Sequence, residues 1–471
     1  MQISLRKLQS RVFWFDFRLI LVFSAIVMLT SCKQKTAQSN TKQTAAADYM
    51  QAAANPEYLH RTVKNYTDII ISDLFSPPVS SRNYIYASIA AYEVMRNLKP
   101  EYASLKGQLK DFPDIPAVPQ GQTICFPVAG IQAYYATGKK FIFSEPDWTD
   151  KEETILKEMK ALGIPQDVYD HSIAYGNAVA DAIKTWADGD NYKETRSMPK
   201  HTTNYKEGHW RPTPPDYNEA LEPNWYKMRS FVFDSTNMVE CEPHIPFSKN
   251  TKSTFWDNAS EVMSIGNQLK PEQRDIAIFW DDNPVVTMHS GHAIYDNKKM
   301  TPGGHWLNVV RIASEKAKVD MLTASEAYMY VSLGLYEAFR GCWLAKHKSD
   351  LIRPESYINQ YIDPKWKPLL QTPPFPEHSS GHSTISAASA EICTYIFGDN
   401  FAYTDNTEEE YGNGTRSFTS FYQAALEASL SRVYGGIHYR HGCDSGNRHG
   451  LKIGKFILDN VKTRPSAVGM K

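Results

Sequence analysis

Residues 375–388 read FPEHSSGHSTISAA. The stretch opens as a proline turn at Phe375-Pro376 and closes as a helix from Ser383 onward. Between the two stand Ser380, Gly381 and His382. A helix N-terminus leaves backbone N–H groups without intrahelical acceptors and carries partial positive charge, so it is a ready anion site. Ser380 is placed to cap the helix or to donate its hydroxyl to a ligand. Gly381 lets an anion approach the backbone closely. His382 supplies a proton near neutral pH. Alone, the stretch reads equally as an ordinary serine cap followed by a buried histidine.

Working outward, helical periodicity dominates the chain. Tyr58–Leu74 and Arg82–Leu98 read as amphipathic helices separated by SPPVSS. Further helical patterns cover 126–137, 147–162, 166–188, 252–268, 271–280, 304–316, 322–346, 383–397, 417–434 and 445–461. Residues 190–250 carry many prolines and aromatics (WRPTPPDY, LEPNWY) and read as a long ordered loop region. There is no convincing alternating strand series. The expected fold class is all-α, built from two packed helical bundles at 56–250 and 251–471. Tyrosine and tryptophan stripes are read as core.

Two other stretches give the first its meaning. In KHKSDLIRP, Lys346 and Arg353 stand seven residues apart, about two helical turns, and Pro354 is expected to end the helix. In SRVYGGIH, Arg432 lies near the end of a helical pattern and Gly435-Gly436 re-aims the chain, leaving His438 on a loop. Alone, these are a solvated basic face and a structural histidine. Together, Lys346, Arg353, Arg432, Ser380, the Gly381 amide, His382 and His438 suit a tetrahedral dianion. Arginine matches bidentate oxyanion recognition, and the two histidines divide between attack on or ligation of the central atom and protonation of a leaving oxygen.

The trio of motifs resembles the signature of the type 2 phosphatidic acid phosphatase and vanadium-dependent haloperoxidase superfamily. That signature is Lys-x6-Arg-Pro, then Pro-Ser-Gly-His, then Ser-Arg-x5-His-x3-Asp. Lys346 to Arg353-Pro354 matches, as do Ser380-Gly381-His382 (with Ser379 where proline is usual) and Ser431-Arg432 to His438. The long N-terminal region and TPPFPEHSSGH look more like the soluble haloperoxidase branch. The resemblance implies that Lys346, Arg353, Ser380, Gly381 and Arg432 hold the oxygens of vanadate or phosphate. It implies His438 as axial vanadium ligand or phosphohistidine nucleophile, and His382 as general acid/base. One position departs. Four residues after His438 the family has an aspartate that orients this histidine, and here that residue is Gly442. Asp444 reads better as the cap of a helix starting near 445, which leaves a backbone carbonyl to orient His438.

Other residues rank lower. Phe375 stands where chloroperoxidases have a similar residue and bromoperoxidases tend to have histidine, so it is expected as an apolar pocket wall. His378 is expected as a further wall or entrance residue, or exposed at the surface. His305 and the pair Asp281-Asp282 are read at the pocket rim or as loop-structuring groups. His289 and His292 have the spacing of a helical metal pair, but SGH supports a helix poorly, and no metal is expected there.

The N-terminus is read apart from the fold. Arg6, Lys7, Arg11 and Arg18 precede an apolar run, Leu19 to Leu29, that meets Leu29-Thr-Ser-Cys32. This is a signal-peptide pattern that looks like a bacterial lipobox, with residues 1–31 removed, Cys32 lipidated and a polar tether to residue 55. The expectation is an exported lipoprotein held to a bacterial membrane through Cys32, facing the periplasm. Five of the six cysteines then remain, without C-x-x-C spacing, which argues against a thiolate zinc site. A net charge of −1 over 471 residues gives no global basic field for nucleic acid.

The expected activity is oxidation of halide with hydrogen peroxide at a bound vanadate cofactor. The same pocket also fits a periplasmic phosphatase that hydrolyses a phosphomonoester through phospho-His438. The missing aspartate motivates a third reading, a lipoprotein that binds an oxyanion without turnover.

Overall fold

The computed structural model describes residues 48–234, 239–284, 286 and 299–465, and the backbone of residues 287–290 and 293–296. The expected signal peptide and Cys32 lie outside the described residues, as do the side chains of His289 and His292. The described residues from Ala53 onward form one compact unit. No helix among the described residues is long and apolar enough to cross a membrane.

The architecture is helical. Helix α1 includes residues 48–53, inside the expected flexible tether, where the alanine-rich sequence favours helix. The first bundle comprises α2 (Glu57–Ser72), α3 (Pro77–Met95), α4 (Phe126–Gly138), α5 (Glu145–Lys160) and α6 (Gln166–Ala187). Prolines at the first turn of α3, α4 and α5 suit positions whose N–H has no intrahelical acceptor. Helix α3 is buried from Pro78 to Met95, which marks it as a core helix packed on α4 and α6.

The long loop that follows holds a short helix, α7 (Tyr192–Ser197), and is tied down by backbone bonds from Trp210 to Asp350, Ile352 to Gly208 and Leu221 to Pro374. The second bundle contains α8 (Thr254–Asn267), α9 (Pro271–Phe279), α10 (Pro302–Ala317), α11 (Met321–Ser349), α12 (Pro354–Tyr361), α13 (Gly381–Phe397), α14 (Phe421–Tyr434) and α15 (Arg440–Asn460). Helix α11 is common to both halves, packing on α3 on one side and α13 on the other. Two short antiparallel pairs, Thr287–Ser290 with Ala293–Asp296 and Tyr403–Asp405 with Arg416–Phe418, escape the sequence reading because each strand is only three or four residues long.

Two local expectations change. Helix α11 ends at Ser349, where Asp350 takes the left-handed conformation (φ 46°), so Pro354 does not stop it. Pro354 instead opens α12, its fixed φ suited to a first helical position. Helix α15 starts at Arg440, so Asp444 lies inside the helix and caps nothing.

The α13–α15 contact sets the site's depth. Gly442, Gly446, Gly450 and Gly454 repeat every four residues and so share one face of α15. A methyl group at Gly450 would lie 2.0 Å from the Thr384 carbonyl, and one at Gly446 2.9 Å from that of Ser380. Glycine therefore lets the two backbones approach where no larger residue fits.

Candidate active site

The three motifs converge. Gly381, His382, Arg432 and His438 line one cavity, walled by Phe339, Trp343, Phe375 and Ile437. Ser380 caps α13 as expected, its Oγ accepting from the Ser383 amide. It also accepts from Ser383 Oγ at 2.8 Å, which leaves its own proton free to donate. The Gly381 and His382 amides belong to the first turn, where helical geometry provides no acceptor.

The cations surround His438 from different directions. Arg353 is fully buried. Its Nε donates to the Phe375 carbonyl, and Nη1 donates to the Ile437 carbonyl and to His438 Nε2, the latter at 3.0 Å. Arg432 donates from Nη1 to the Trp280 carbonyl, and its Nη2 lies 3.9 Å from Asp281 Oδ1. Lys346, also fully buried, gives all three of its protons to the carbonyls of Pro376, Glu377 and Ser379. It therefore shapes the loop leading into Ser380 directly, and bears on the cavity through its charge. Its ammonium and the Arg353 guanidinium both sit on the Phe375 ring, at 4.9 and 5.0 Å from the centroid.

His438 is oriented by a residue outside the three motifs. Nδ1 lies 2.8 Å from Glu377 Oε1, and the same oxygen accepts from the Tyr439 amide. The backbone carbonyl expected in that role is not needed. A methyl group at Gly442 would lie 2.3 Å from that oxygen. Glu377 thus occupies the space an aspartate side chain at 442 would fill, and the glycine is the signal in the sequence that points to it. Burial pushes the Glu377 carboxyl up to about 7, against the pull of Arg353 and Lys346. Burial, then Arg353 and Lys346, hold His438 well below the usual imidazole range. The ring is neutral, with Nδ1–H donated to Glu377 and the Nε2 lone pair turned to Arg353.

His382 is likewise held low, by burial and then Arg432. Its ring bonds the Trp280 carbonyl while Nε2 has no partner among the described residues. Asp281, expected at the rim, faces Arg432 and accepts from Lys299 at 2.7 Å. Asp282 touches the cavity and bonds His305, which is itself buried outside the cavity lining. His378, expected at the wall or entrance, is no part of that lining. It is buried (2% exposed) between His244 and His441, with Nε2 bonded to the Glu242 carbonyl.

Two guanidinium N–H donors and, at His382 Nε2, a proton acceptor fit a protonated tetrahedral oxyanion. Arg353 Nη2, Arg432 Nε and His382 Nε2 are all shielded from solvent and without partners among the described residues. Such groups are costly to bury unless a ligand satisfies them.

Comparison with solved structures gives a relative over most of the chain. A crystal structure of the first bacterial vanadium-dependent iodoperoxidase superposes with a TM-score of 0.83 at 40% identity, covering 88% of this chain and 98% of its own. The chain belongs to the vanadium-dependent haloperoxidases. The haloperoxidase fold extends to holo-type and apo-type bacterial vanadium-dependent chloroperoxidases, with TM-scores of 0.60 and 0.61. Both are 15% identical and cover 82% of this chain, with 93% and 95% of their own covered, a likeness of fold alone. The family model of the VCPO second helical-bundle domain matches residues 359–466, which hold two of the three haloperoxidase motifs. No curated protein matches.

Proposed function

We infer that this haloperoxidase oxidises halide, with iodide as the first candidate, using hydrogen peroxide at a vanadate held around His438. The carrying observation is the pair of unpartnered buried guanidinium donors on Arg353 and Arg432, with the free Nε2 of His382, beside an imidazole fixed by Glu377. The 40% identity with an iodoperoxidase supports iodide. Vanadate, when bound, supplies a Lewis-acidic centre that makes peroxide electrophilic toward halide.

The chain's own residues do the rest. Arg353, Arg432, Ser380 and the Gly381 amide would hold the oxygens, and Lys346 adds positive charge through the loop it organises. Backbone carbonyls aim both guanidinium groups before the anion arrives, which limits reorganisation, and Arg353 Nη1 would turn from His438 Nε2 to the anion to free that lone pair. His438 presents the Nε2 lone pair, and Glu377 holds its other nitrogen protonated. His382, neutral and bonded to Trp280, offers Nε2 as proton acceptor for incoming peroxide. Trp343, Phe339 and Phe375 keep one side of the cavity apolar. Glu377 also removes the reason for the reading without turnover, since the orienting carboxylate is supplied.

The test is triiodide formation from iodide, peroxide and orthovanadate, run beside p-nitrophenyl phosphate hydrolysis on the same sample with His438→Ala as control. Vanadate-dependent triiodide formation lost in the variant supports the reading; phosphatase turnover without it selects the phosphohistidine reading. Lipidation at Cys32 is a separate proposal, supported by the Leu29-Thr-Ser-Cys32 pattern. Cys32→Ser is expected to leave the membrane fraction.

A further inference from the structure

Behind the cavity, a second cluster of ionisable groups has no part in holding the oxyanion. His305, on α10, is 0% exposed. Its Nδ1 lies 3.0 Å from Asp282 Oδ1 and its Nε2 3.0 Å from Asp405 Oδ2. Glu408 completes the group, and Asp282, Asp405 and Glu408 are 2%, 0% and 5% exposed. Three carboxylates thus share one buried imidazole. The nearby cations are engaged elsewhere, Lys299 with Asp281 and Arg432 with the Trp280 carbonyl. The imidazole, bonded at both nitrogens to aspartates that hold it protonated, is their present counter-charge, and a cation would take the place of its Nδ1 proton.

The carboxylates are not equivalent. Asp405 is saturated: Oδ1 accepts from the Thr407 amide and hydroxyl, and Oδ2 faces His305. Glu408 has one oxygen, Oε2, bonded to Asn413. Asp282 Oδ2 is shielded from solvent and has no partner among the described residues. One ligand atom each from Asp282, His305 and Glu408 lies within 4.8 Å of the other two.

The geometry points to a divalent transition-metal site, of the zinc or manganese class, formed by Asp282, His305 and Glu408. The arrangement has the parts such a site needs. Asp405 would accept the Nε2–H of a neutral His305, which fixes the tautomer and leaves Nδ1 as the ligand. The unpartnered Asp282 Oδ2 and a Glu408 oxygen supply the other two positions. Zinc ligands sit at about 2.0–2.2 Å from the ion, so the trio, with its ligand atoms within 4.8 Å of one another, would draw inward to close on a cation. One imidazole among carboxylates favours Zn²⁺ or Mn²⁺ over Mg²⁺ or Ca²⁺, which prefer oxygen alone. The ligands come from three separate segments: the loop after α9, the body of α10 and the turn after Tyr403–Asp405.

The position gives the ion a consequence for the reaction. The Trp280 indole stacks on His305 at 4.4 Å and 14°. The carbonyl of the same Trp280 accepts from Arg432 and from the His382 ring. A cation pinning His305 and Asp282 would therefore brace the backbone that aims two cavity residues.

The test uses the full chain, purified without chelator, dialysed against ZnCl2 or MnCl2 and then against metal-free buffer. Metal is counted by mass spectrometry and melting is followed in parallel. Wild type is expected to keep about one equivalent and to melt higher with metal than without. Asp282→Asn and Glu408→Gln are expected to lose both the metal and the shift. Glu408→Gln removes a buried charge while keeping its shape, so it folds even if His305 variants do not. No retained metal in wild type overturns the proposal. So does equal retention in the two variants, which places the ion elsewhere. Neither readout depends on vanadate or halide turnover.

Discussion

Glu377 Oε1 lies 2.8 Å from His438 Nδ1, although 61 residues separate them in the chain. The carboxylate that the family signature places four residues after this histidine is delivered here from the loop before α13, and Gly442 makes room for it. Losing this partner removes the fixed tautomer, not the ring. Glu377→Gln is expected to lower vanadate affinity and halide oxidation about 10–100-fold while circular dichroism is unchanged. Activity retained in full would assign the orientation of His438 to another group.

The same relationship gives a reciprocal test at Gly442. Gly442→Asp alone forces a second carboxylate into occupied space, since Glu377 Oε1 stands 2.3 Å from where the new Cβ would be. It is expected to destabilise the fold and abolish activity. Combining it with Glu377→Gly restores one carboxylate to one space, and activity should exceed that of either single variant. Strict additivity of the two losses would mean the residues do not share the site.

Buried, unpaired donors make the anion-free protein less stable than the loaded one. Thermal melts with increasing orthovanadate should rise continuously, gaining about 2.7 kcal/mol at a hundred times the dissociation constant. Arg353→Ala and Arg432→Ala should each flatten the response. A melting temperature indifferent to vanadate would contradict the cage.

Lys346 sets a pH limit. Burial first, and then the Arg353 charge, hold it down to about 8 from 10.5. A lysine depressed in the folded state contributes stability above its unfolded pKa that is lost as pH falls through the folded value. The cage accordingly carries its full positive charge only below about pH 8, at some expense to the anion-free fold. The vanadate-induced rise in melting temperature should therefore be larger at about pH 7 than at about pH 9.5. Lys346→Met should show a smaller rise with little difference between the two.

The glycine face of α15 holds the Ser380 helix in place. Gly450→Ala places a methyl group 2.0 Å from the Thr384 carbonyl, a contact with backbone that no rotamer change relieves. Denaturant melts should show a loss of about 1–3 kcal/mol or more.

Much of this is legible in the sequence. The segment 166–188 reads correctly because a helix burying an apolar face repeats every 3.6 residues, whereas 322–346, buried on nearly all sides, reads as helix by its length. The three motifs meet around one cavity, a grouping suggested by residue types that share one chemistry. What the sequence hides is pairing across distance. Nothing local marks Glu377 as the partner of His438, since the bond exists only once α13 and α15 close together. The carbonyl that aims His382 and Arg432 carries no side-chain signature at all. The motif points Lys346 at the anion, but the Pro376–Ser379 carbonyls take its protons once the loop before α13 folds over it. Helix α12 is hidden because Pro354 signals a stop and a start with the same residue.

The most direct measurement is vanadium content after equilibrium dialysis against orthovanadate, for wild type and His438→Ala, with triiodide formation assayed on the same samples. Wild type should bind saturably near one vanadium per chain and oxidise iodide in proportion to it, and the variant should lose both. Wild-type protein that takes up no vanadium, or a variant that binds and turns over as well as wild type, would contradict a vanadate centre on His438.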